Sequence, residues 1–218
     1  RENCDIGFAV DPDSDRLAII DERGKPLGEE YTLVLAAAGY LSQKENSEVL
    51  VTNLSSSIAL DKLADKYNST VLRSAVGEIN VVNKMVECNS SFGGEGNGGV
   101  ILKDAHLGRD ALVGAALILS YLSHQKTTLS ETHKALPQYV IVKDKINIKN
   151  INIKVFEEKV KNLYMDSIVD ETDGIKLIWS DKWLHIRKSN TEPIIRIYAE
   201  AISKEIALKI IQNLKSIL

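Results

Sequence analysis

Short apolar runs alternate with helical patterns between residues 28 and 125 of this 218-residue chain, and this alternation constrains the fold more than any other feature. The pattern predicts strands at 49–52, 70–72 and 100–102 and helices at 29–43, 55–67, 77–87 and 109–123. Two earlier apolar runs, at 6–10 and 17–20, predict a pair of strands around a polar turn. Buried strands that alternate with helices indicate an α/β layered domain.

The pattern changes after residue 125. The polar segment 125–128 is expected to link two domains. Beyond it the expected elements are strands at 139–148, 175–179, 183–187 and 194–201 and helices at 155–166 and 203–218. The last helix is amphipathic, with isoleucine and leucine side chains on one face. This order predicts a small α+β domain with an antiparallel sheet.

Composition excludes several classes of protein. Hydrophobic residues make up 44% of the chain, which suffices for a core, and the net charge of −3 argues against a nucleic-acid-binding face. The longest apolar stretch, 111–122, is shorter than the roughly 20 residues of a membrane helix. Two cysteines, Cys4 and Cys88, form no disulfide framework, so we expect a cytoplasmic location. No signal peptide is visible in the sequence, and because it begins at Arg1 with no methionine we interpret the chain as a piece of a longer protein.

An acidic loop joins the first two expected strands. Asp11, Asp13 and Asp15 alternate along it and are followed by Arg16. Three carboxylates at close range repel one another unless a cation lies among them. A hard divalent cation with oxygen ligands therefore suits the loop, and Arg16 offers a planar donor group to a carboxylate or phosphate.

Two other interpretations of this loop are open. Glu22 completes the spacing of a calcium-binding EF-hand loop, but Arg16 stands where that loop needs glycine and the flanks are expected strands, not helices. Taken alone, the loop also fits a solvated acidic turn.

Two further loops carry possible ligands. The segment 93–99 has five glycines around Glu95 and Asn97, whose side chains suit sugar hydroxyls. A flexible linker is the alternative, although a linker rarely leads into a buried strand, so we favour a binding loop. The segment 73–78 lies between a strand and a helix, where backbone amides at the helix start could bind an anion. Taken alone, this segment is better explained as a plain strand-to-helix turn.

The segment 187–196 combines hydroxyl groups, backbone amides and two arginines between two strands. These groups suit a phosphate, and a polar hairpin with solvated charges is the alternative. Its candidate ligands are Arg187, Ser189, Asn190, Thr191 and Arg196.

Together, the segments DPDSDR (11–16), SAVGE (74–78), GGEGNGG (93–99) and RKSNTEPIIR (187–196) resemble the α-D-phosphohexomutase superfamily, which includes phosphoglucomutase, phosphomannomutase and phosphoglucosamine mutase. The resemblance implies that Asp11, Asp13 and Asp15 bind Mg²⁺ and that Arg16 is catalytic, near the reacting phosphate. It implies that Glu95 and Asn97 contact sugar hydroxyls, and that the five ligands of 187–196 hold the other phosphate. Lys103 and the stretch 108–110 also lie at a familiar distance from the sugar loop.

The resemblance also implies an organisation and a reaction. Residues 1–27 would be the tail of domain 2 with the metal loop, 28–125 an α/β domain 3 with a mixed sheet, and 126–218 an α+β domain 4. The family moves a phosphoryl group between the 1 and 6 positions of a hexose phosphate through a phosphoserine and a hexose bisphosphate.

The serine loop and the N-terminal domains that carry it are absent from this sequence, so we expect no turnover by the chain alone. The glycine-rich loop is most similar to phosphoglucosamine mutases; phosphomannomutase or phosphoglucomutase activity, or a non-catalytic sugar-phosphate-binding module, are the alternatives.

Overall fold

Residues 3–148, 152–189 and 192–217 are described by a computed structural model. The chain divides into two units, Arg1–Gln138 and Tyr139–Leu218. No helix in the described part of the chain is long and apolar enough to cross a membrane.

Unit 1 contains a hairpin and a mixed sheet surrounded by helices. Its elements are β1 (Ile6–Val10), β2 (Leu17–Asp21), α1 (Glu29–Leu41), β3 (Val49–Asn53), α2 (Ala59–Lys66), β4 (Thr70–Ser74), α3 (Glu78–Glu87), β5 (Phe92–Glu95), β6 (Gly99–Leu102), α4 (Ala111–His124) and α5 (Leu129–Ala135). Strands β1 and β2 pair antiparallel. The sheet has the order β4-β3-β5-β6, with β3 parallel to β4 and β5, and β6 antiparallel to β5. The expected α/β layered domain with a mixed sheet is confirmed.

The helices cover both faces of this sheet. A side chain at Gly93 would meet Met85 of α3, and one at the next residue, Gly94, would meet Leu33 of α1. Because successive residues of a strand point to opposite faces, α1 and α3 lie on opposite sides of β5. Helix α1 is buried on all sides from Tyr31 to Leu41, and Gly39 lets it approach the Leu117 carbonyl of α4 closely.

The glycine-rich segment 93–99 is mostly strand. Its first half belongs to β5, which pairs with β3, and its last residue, Gly99, begins β6. Only 96–98 form the connecting turn. Glycines are poor strand formers, so the pattern gave no signal for β5. The strand forms because neighbouring backbones and Met85 fill the space that side chains would occupy.

The segment 126–138 packs within unit 1, although the sequence assigned it to the later domain. Thr128 and Glu131 form a capping box that starts α5. The Ser130 hydroxyl donates to Glu22 Oε1 at 2.5 Å, and the Tyr31 hydroxyl donates to the Pro137 carbonyl at 3.1 Å. These long-range contacts fix α5 to the first unit, so 125–128 is the turn between α4 and α5.

Unit 2 is a five-stranded antiparallel sheet with two helices. Its elements are β7 (Val140–Asn147), α6 (Ile153–Leu163), β8 (Ile168–Asp170), β9 (Ile175–Ile178), β10 (Trp183–Lys188), β11 (Ile194–Ala201) and α7 (Lys204–Lys215). The strand order is β7-β11-β10-β9-β8. Side chains from β9, β10 and β11 form one core with Phe156 of α6 and Leu214 of α7. The expected α+β domain with an antiparallel sheet is confirmed, with the short β8 as an additional edge strand.

Candidate functional site

The acidic loop brings its three carboxylates together at the tip of the β1–β2 hairpin. One carboxylate oxygen from each of Asp11, Asp13 and Asp15 lies within 4.8 Å of the others. A positive φ of 61° at Ser14 turns the loop, and the Ser14 amide donates to the Asp11 carbonyl at 3.0 Å. Strands flank the loop, so an EF-hand, which needs helical flanks, is excluded.

Arg16 partly neutralises this cluster. Its amide donates to Asp11 Oδ1 at 3.1 Å, and its Nε donates to Asp11 Oδ2 at 2.5 Å and lies 3.4 Å from Asp15 Oδ1. Partial burial alone would raise the pKa of the Asp11 carboxyl, but the hydrogen bonds from Arg16 outweigh it and hold that pKa below its usual range. Asp11 is therefore ionised at neutral pH, as a metal ligand must be.

The residues present fit a divalent cation. Asp15 Oδ1 is buried and has no hydrogen-bond partner among the described residues. A buried carboxylate oxygen normally has a partner, so this one has coordination capacity to spare. Asp13 is exposed and its carboxylate stands beside the other two. Mg²⁺ is typically held by one or two carboxylates together with substrate oxygens and water, which matches this partly open arrangement.

Arg109 joins the acidic loop to the glycine-rich segment. Its Nη2 forms an ion pair with Asp15 Oδ2, and its Nη1 donates to Glu95 Oε2 at 2.7 Å. Its amide donates to Glu78 Oε1 at 2.8 Å, at the start of α3. One guanidinium thus holds carboxylates from two of the predicted site segments in fixed geometry, with its side chain 18% exposed.

Glu95 is buried inside a ring of donors. It is 3% exposed. Its Oε1 accepts from Asn53 Nδ2 at 2.7 Å and from the Gly77 amide at 3.1 Å, while its Oε2 accepts from Arg109. An ionised carboxylate has about four acceptor positions, so Oε2 retains capacity for another donor. The Gly77 contact places the expected SAVGE segment against the glycine-rich one.

Asn97 lies at the turn between β5 and β6, beside the acidic loop. Its Oδ1 accepts from the Gly99 amide at 3.2 Å, and its Nδ2 points towards Glu95 Oε2 at 3.5 Å. The Gly98 carbonyl accepts from the Leu17 amide at 3.0 Å, which fixes the turn to β2. A cleft of about 270 Å³ is lined by Asn97 together with Asp11, Arg16 and Glu29. Predicted metal and sugar residues therefore share one cleft of unit 1.

Sequence reasoning missed Asn53 and left Arg109 without a role. The signal for Arg109 was a charged residue just before a strongly apolar helix, a pattern that occurs in many α/β proteins. Lys103, by contrast, donates to Asn89 at 2.8 Å on the surface. A larger cleft of about 550 Å³ lies between β1, α4 and α5, but none of the clustered carboxylates of the acidic loop lines it.

The segment 187–196 of unit 2 brings together three of its five predicted ligands. Arg187 on β10 lies directly opposite Arg196 on β11. Arg196 Nε and Nη2 each lie 3.4 Å from the buried Ser189 hydroxyl oxygen, and Nη2 donates to Glu192 at 3.0 Å. Asn190 and Thr191 lie outside the described residues.

Arg187 retains donor capacity. Its Nη1 lies 3.6 Å from Asp173 Oδ2, a distance typical of an ion pair but too long for a strong hydrogen bond. Its Nε is buried and has no hydrogen-bond partner within the described part of unit 2. A buried guanidinium nitrogen in this state favours an anionic ligand, because leaving it unpaired is unfavourable.

Comparison with known proteins gives matches along the chain. A family model described as phosphoglucomutase/phosphomannomutase, alpha/beta/alpha domain III, matches residues 28–140. A second, described as the C-terminal domain of phosphoglucomutase/phosphomannomutase, matches residues 139–216. The two matches meet where the structure divides into its two units.

Two relatives have related names. A phosphoglucomutase/phosphomannomutase of Thermococcus kodakarensis is 38% identical over 93% of this chain and 44% of its own length. A phosphoglucosamine/phosphogalactosamine mutase of Sulfurisphaera tokodaii is 33% identical over 98% of this chain and 48% of its own length. The chain therefore spans about half the length of the curated relatives it matches.

A solved structure shares the fold. It is a phosphoglucomutase/phosphomannomutase family protein from Burkholderia thailandensis, with a TM-score of 0.83 at 24% identity. The superposition covers 99% of this chain and 46% of that one.

Proposed function

This chain belongs to the phosphoglucomutase/phosphomannomutase family, and on that premise we propose that it is the metal-, sugar- and phosphate-binding part of a phosphohexomutase. The reaction is transfer of a phosphoryl group between the 1 and 6 positions of a hexose phosphate, through a phosphoserine and a hexose bisphosphate. The observation that supports this most directly is the contact of Arg109 with both Asp15 and Glu95, because it joins a cation site to a polyol site.

The metal in this proposal is Mg²⁺, held by Asp11, Asp13 and Asp15. When bound, Mg²⁺ stabilises the negative charge that develops on a transferring phosphoryl group. Arg16, already beside Asp11 and Asp15, orients these carboxylates and offers its remaining donors to the reacting phosphate. Its side chain is 46% exposed, so a ligand has access to it.

The sugar ligands in this proposal are Glu95 and Asn97. Glu95 Oε2 accepts a hydrogen bond from a sugar hydroxyl, and the Asn97 amide donates to or accepts from the neighbouring hydroxyl. Arg109 holds the Glu95 carboxylate in place through its hydrogen bond to Oε2. Adjacent hydroxyls of a hexose present this donor and acceptor pair in either orientation of the bisphosphate.

The phosphate that does not react is assigned to unit 2. Arg187, Ser189, Asn190, Thr191 and Arg196 are the proposed ligands. The supporting observations are the unpaired Nε of Arg187 and the position of Arg196 beside Ser189. Guanidinium groups bind phosphate oxygens through paired N–H donors, which gives orientation as well as affinity.

The phosphoserine is expected in a part of the protein that precedes this sequence. We therefore expect the 218-residue chain to show no mutase turnover with hexose 1,6-bisphosphate present. The full-length protein is expected to be active, and an Asp13→Asn variant of it to lose most of that activity while an Asp104→Asn variant, altered at an exposed turn, retains it. Turnover by the 218-residue chain would contradict the assignment.

Glucosamine phosphate is the proposed substrate, supported by the form of the glycine-rich segment and by the name of the Sulfurisphaera tokodaii relative. The alternative is mannose or glucose phosphate, supported by the name of the Thermococcus kodakarensis relative. Comparing kcat/KM of the full-length protein for the three 6-phosphates decides between them. A higher value for mannose or glucose 6-phosphate would contradict the glucosamine assignment.

A further inference from the structure

The charged side chains of strand β7 lie on two opposite faces of the unit 2 sheet. Asp144 lies directly opposite Ile197, a core residue of β11. The Asp144 carboxylate forms an ion pair with Lys215 of α7, with Nζ and Oδ2 2.6 Å apart. Lys143 and Lys145 alternate with Asp144 and therefore point to the opposite face. Asp144 is thus engaged with Lys215, and among the described residues its carboxylate forms no ion pair with Lys145.

Three cations form a row across that second face. Lys145 on β7 lies directly opposite Arg196 on β11, which lies directly opposite Arg187 on β10. Directly opposed residues of an antiparallel pair have their Cβ atoms about 5 Å apart and point to the same face. Like charges in such positions destabilise a sheet, so the row is unfavourable for folding unless an anion joins it.

The carboxylates nearby compensate this row incompletely. Arg196 has Glu192 at 3.0 Å, and Arg187 has Asp173 at 3.6 Å. The Lys145 ammonium has no hydrogen-bond or ion-pair partner in 3–148, 152–189 or 192–217. One cation of the three thus stands exposed and without a counter-charge from the described part of the chain.

A cleft lies above this end of the sheet. Its volume is about 440 Å³, and its lining includes Lys143, Lys145, Arg196 and Tyr198 together with the acidic residues Asp144 and Glu192. Tyr198 lies opposite Lys143, whose Nζ is 5.9 Å from the centre of its ring. Lys143, Lys145 and Arg196 outnumber the two acidic residues in this lining, so the cleft suits an anion such as a phosphate group. A sugar ring that carries the phosphate can pack its C–H surface on the Tyr198 ring.

We propose that Lys145, with Lys143 beside it, extends the phosphate site of unit 2 onto β7. A sugar phosphate monoester held by Arg196 is bound also by the Lys145 ammonium, and its sugar lies against Tyr198. This inference rests on the proposed function, because it uses the phosphate site assigned there. It adds two ligands that lie more than forty residues before the segment 187–196 in the chain.

The test is a titration of the 218-residue chain with glucosamine 6-phosphate, followed by NMR shifts of backbone amides at constant ionic strength. Constant ionic strength matters because exposed charges are screened by salt. The variants are Lys145→Ala, Lys145→Arg and Arg196→Ala, with Lys209→Ala on the exposed side of α7 as the matched control. Glucose, which has neither the phosphate nor the amine, serves as the uncharged ligand control. Tryptophan fluorescence checks that each variant is folded, since both tryptophans lie in unit 2.

We expect Lys145→Ala to weaken the affinity about three- to tenfold, which corresponds to the net contribution of about 1 kcal/mol of a typical hydrogen bond. Lys145→Arg should stay within about twofold of the wild-type chain, and Lys209→Ala should leave the affinity unchanged. If Arg196→Ala weakens binding but Lys145→Ala behaves like Lys209→Ala, the extension is wrong and the phosphate site of the proposed function stands. If neither Arg196→Ala nor Lys145→Ala weakens binding, or if the wild-type chain shows no saturable binding, both assignments on this face fail.

Discussion

Nη1 of Arg109 lies 2.7 Å from Oε2 of Glu95, and the same guanidinium pairs with Asp15 in a different loop. The Glu95 side chain is 4% exposed, so its charge is almost entirely removed from water. Breaking a buried pair from one side leaves the other charge uncompensated, which is far less favourable than the intact pair.

Arg109→Ala is therefore expected to lower the free energy of unfolding of unit 1 by about 3 kcal/mol. Arg109→Lys keeps a charge but loses the planar fork, so it should recover only part of that loss. Hydrogen exchange measured by mass spectrometry on β5 and β6 reports on this unit directly. Lys103→Ala, at an exposed cation bonded to Asn89, is the control and should change the free energy of unfolding little. Equal stability of Arg109→Ala and Lys103→Ala would mean that the Glu95 charge is compensated in another way.

Asp13 provides a test of the cation site. Asp13→Asn removes one of three neighbouring carboxylates and so relieves repulsion, and we expect the metal-free variant to be as stable as the wild-type chain or slightly more so. Mg²⁺ should stabilise the wild-type chain, by about 1.4 kcal/mol at ten times the dissociation constant, and should stabilise Asp13→Asn much less. Thermal unfolding with and without MgCl2 at constant ionic strength measures both effects. Asp5→Asn, at an exposed residue before β1, should respond to Mg²⁺ like the wild type. The same response from Asp13→Asn would exclude Asp13 as a ligand.

The buried His185 should make the stability of unit 2 depend on pH. Burial lowers the pKa of its imidazole to about 4, and the nearby charge of Lys176 acts in the same direction. The unfolded chain, with an ordinary pKa near 6.5, takes up a proton between about pH 6.5 and 4 that the folded chain does not. The contribution of neutral His185 to the stability of unit 2 is therefore present above about pH 6.5 and is lost as the pH falls through this window.

Between pH 6.5 and 5, we expect the free energy of unfolding of the wild type to fall by about 1.5 kcal/mol more than that of His185→Gln. Urea unfolding followed by fluorescence of Trp179 and Trp183 isolates this unit, since these are the two tryptophans of the chain. His124→Gln, at an exposed position on α4 of unit 1, should leave the pH profile unchanged. Parallel profiles for wild type and His185→Gln would contradict a buried neutral histidine.

The close contact between α1 and α4 leaves no space for a side chain at Gly39. A methyl group there would overlap the Leu117 carbonyl of α4, a backbone group that has little freedom to move. Gly39→Ala should lower the stability of unit 1 by about 2 kcal/mol, despite the better helix propensity of alanine. In Gly114→Ala, the matched helical control, the new methyl meets a Val100 side-chain methyl at 3.2 Å. That side chain adjusts more easily, so the change should stay within about 1 kcal/mol. Far-UV circular dichroism during urea unfolding compares the two variants.

Most secondary-structure elements could be predicted from the sequence because they depend on local periodicity. The amphipathic pattern of α7 and the alternation along β7 are visible in a few consecutive residues. Strand β5 escaped prediction because Phe92-Gly93-Gly94-Glu95 lacks a strand-like pattern, and its pairing with β3 comes from residues about forty positions earlier. The position of α5 in unit 1 escaped for the same reason, since it depends on the contact of Ser130 with Glu22.

The candidate site likewise has one part that the local sequence predicts and another that depends on tertiary contacts. The acidic loop is local, so the sequence alone determined that Asp11, Asp13 and Asp15 would lie together and that strands would flank them. Only the tertiary structure decided that Arg109 would join Asp15 to Glu95, and that Lys145 would stand opposite Arg196. The physical reason is that a loop's own geometry is set by neighbouring dihedral angles, whereas ion pairs and strand register depend on segments brought together by burial of the core.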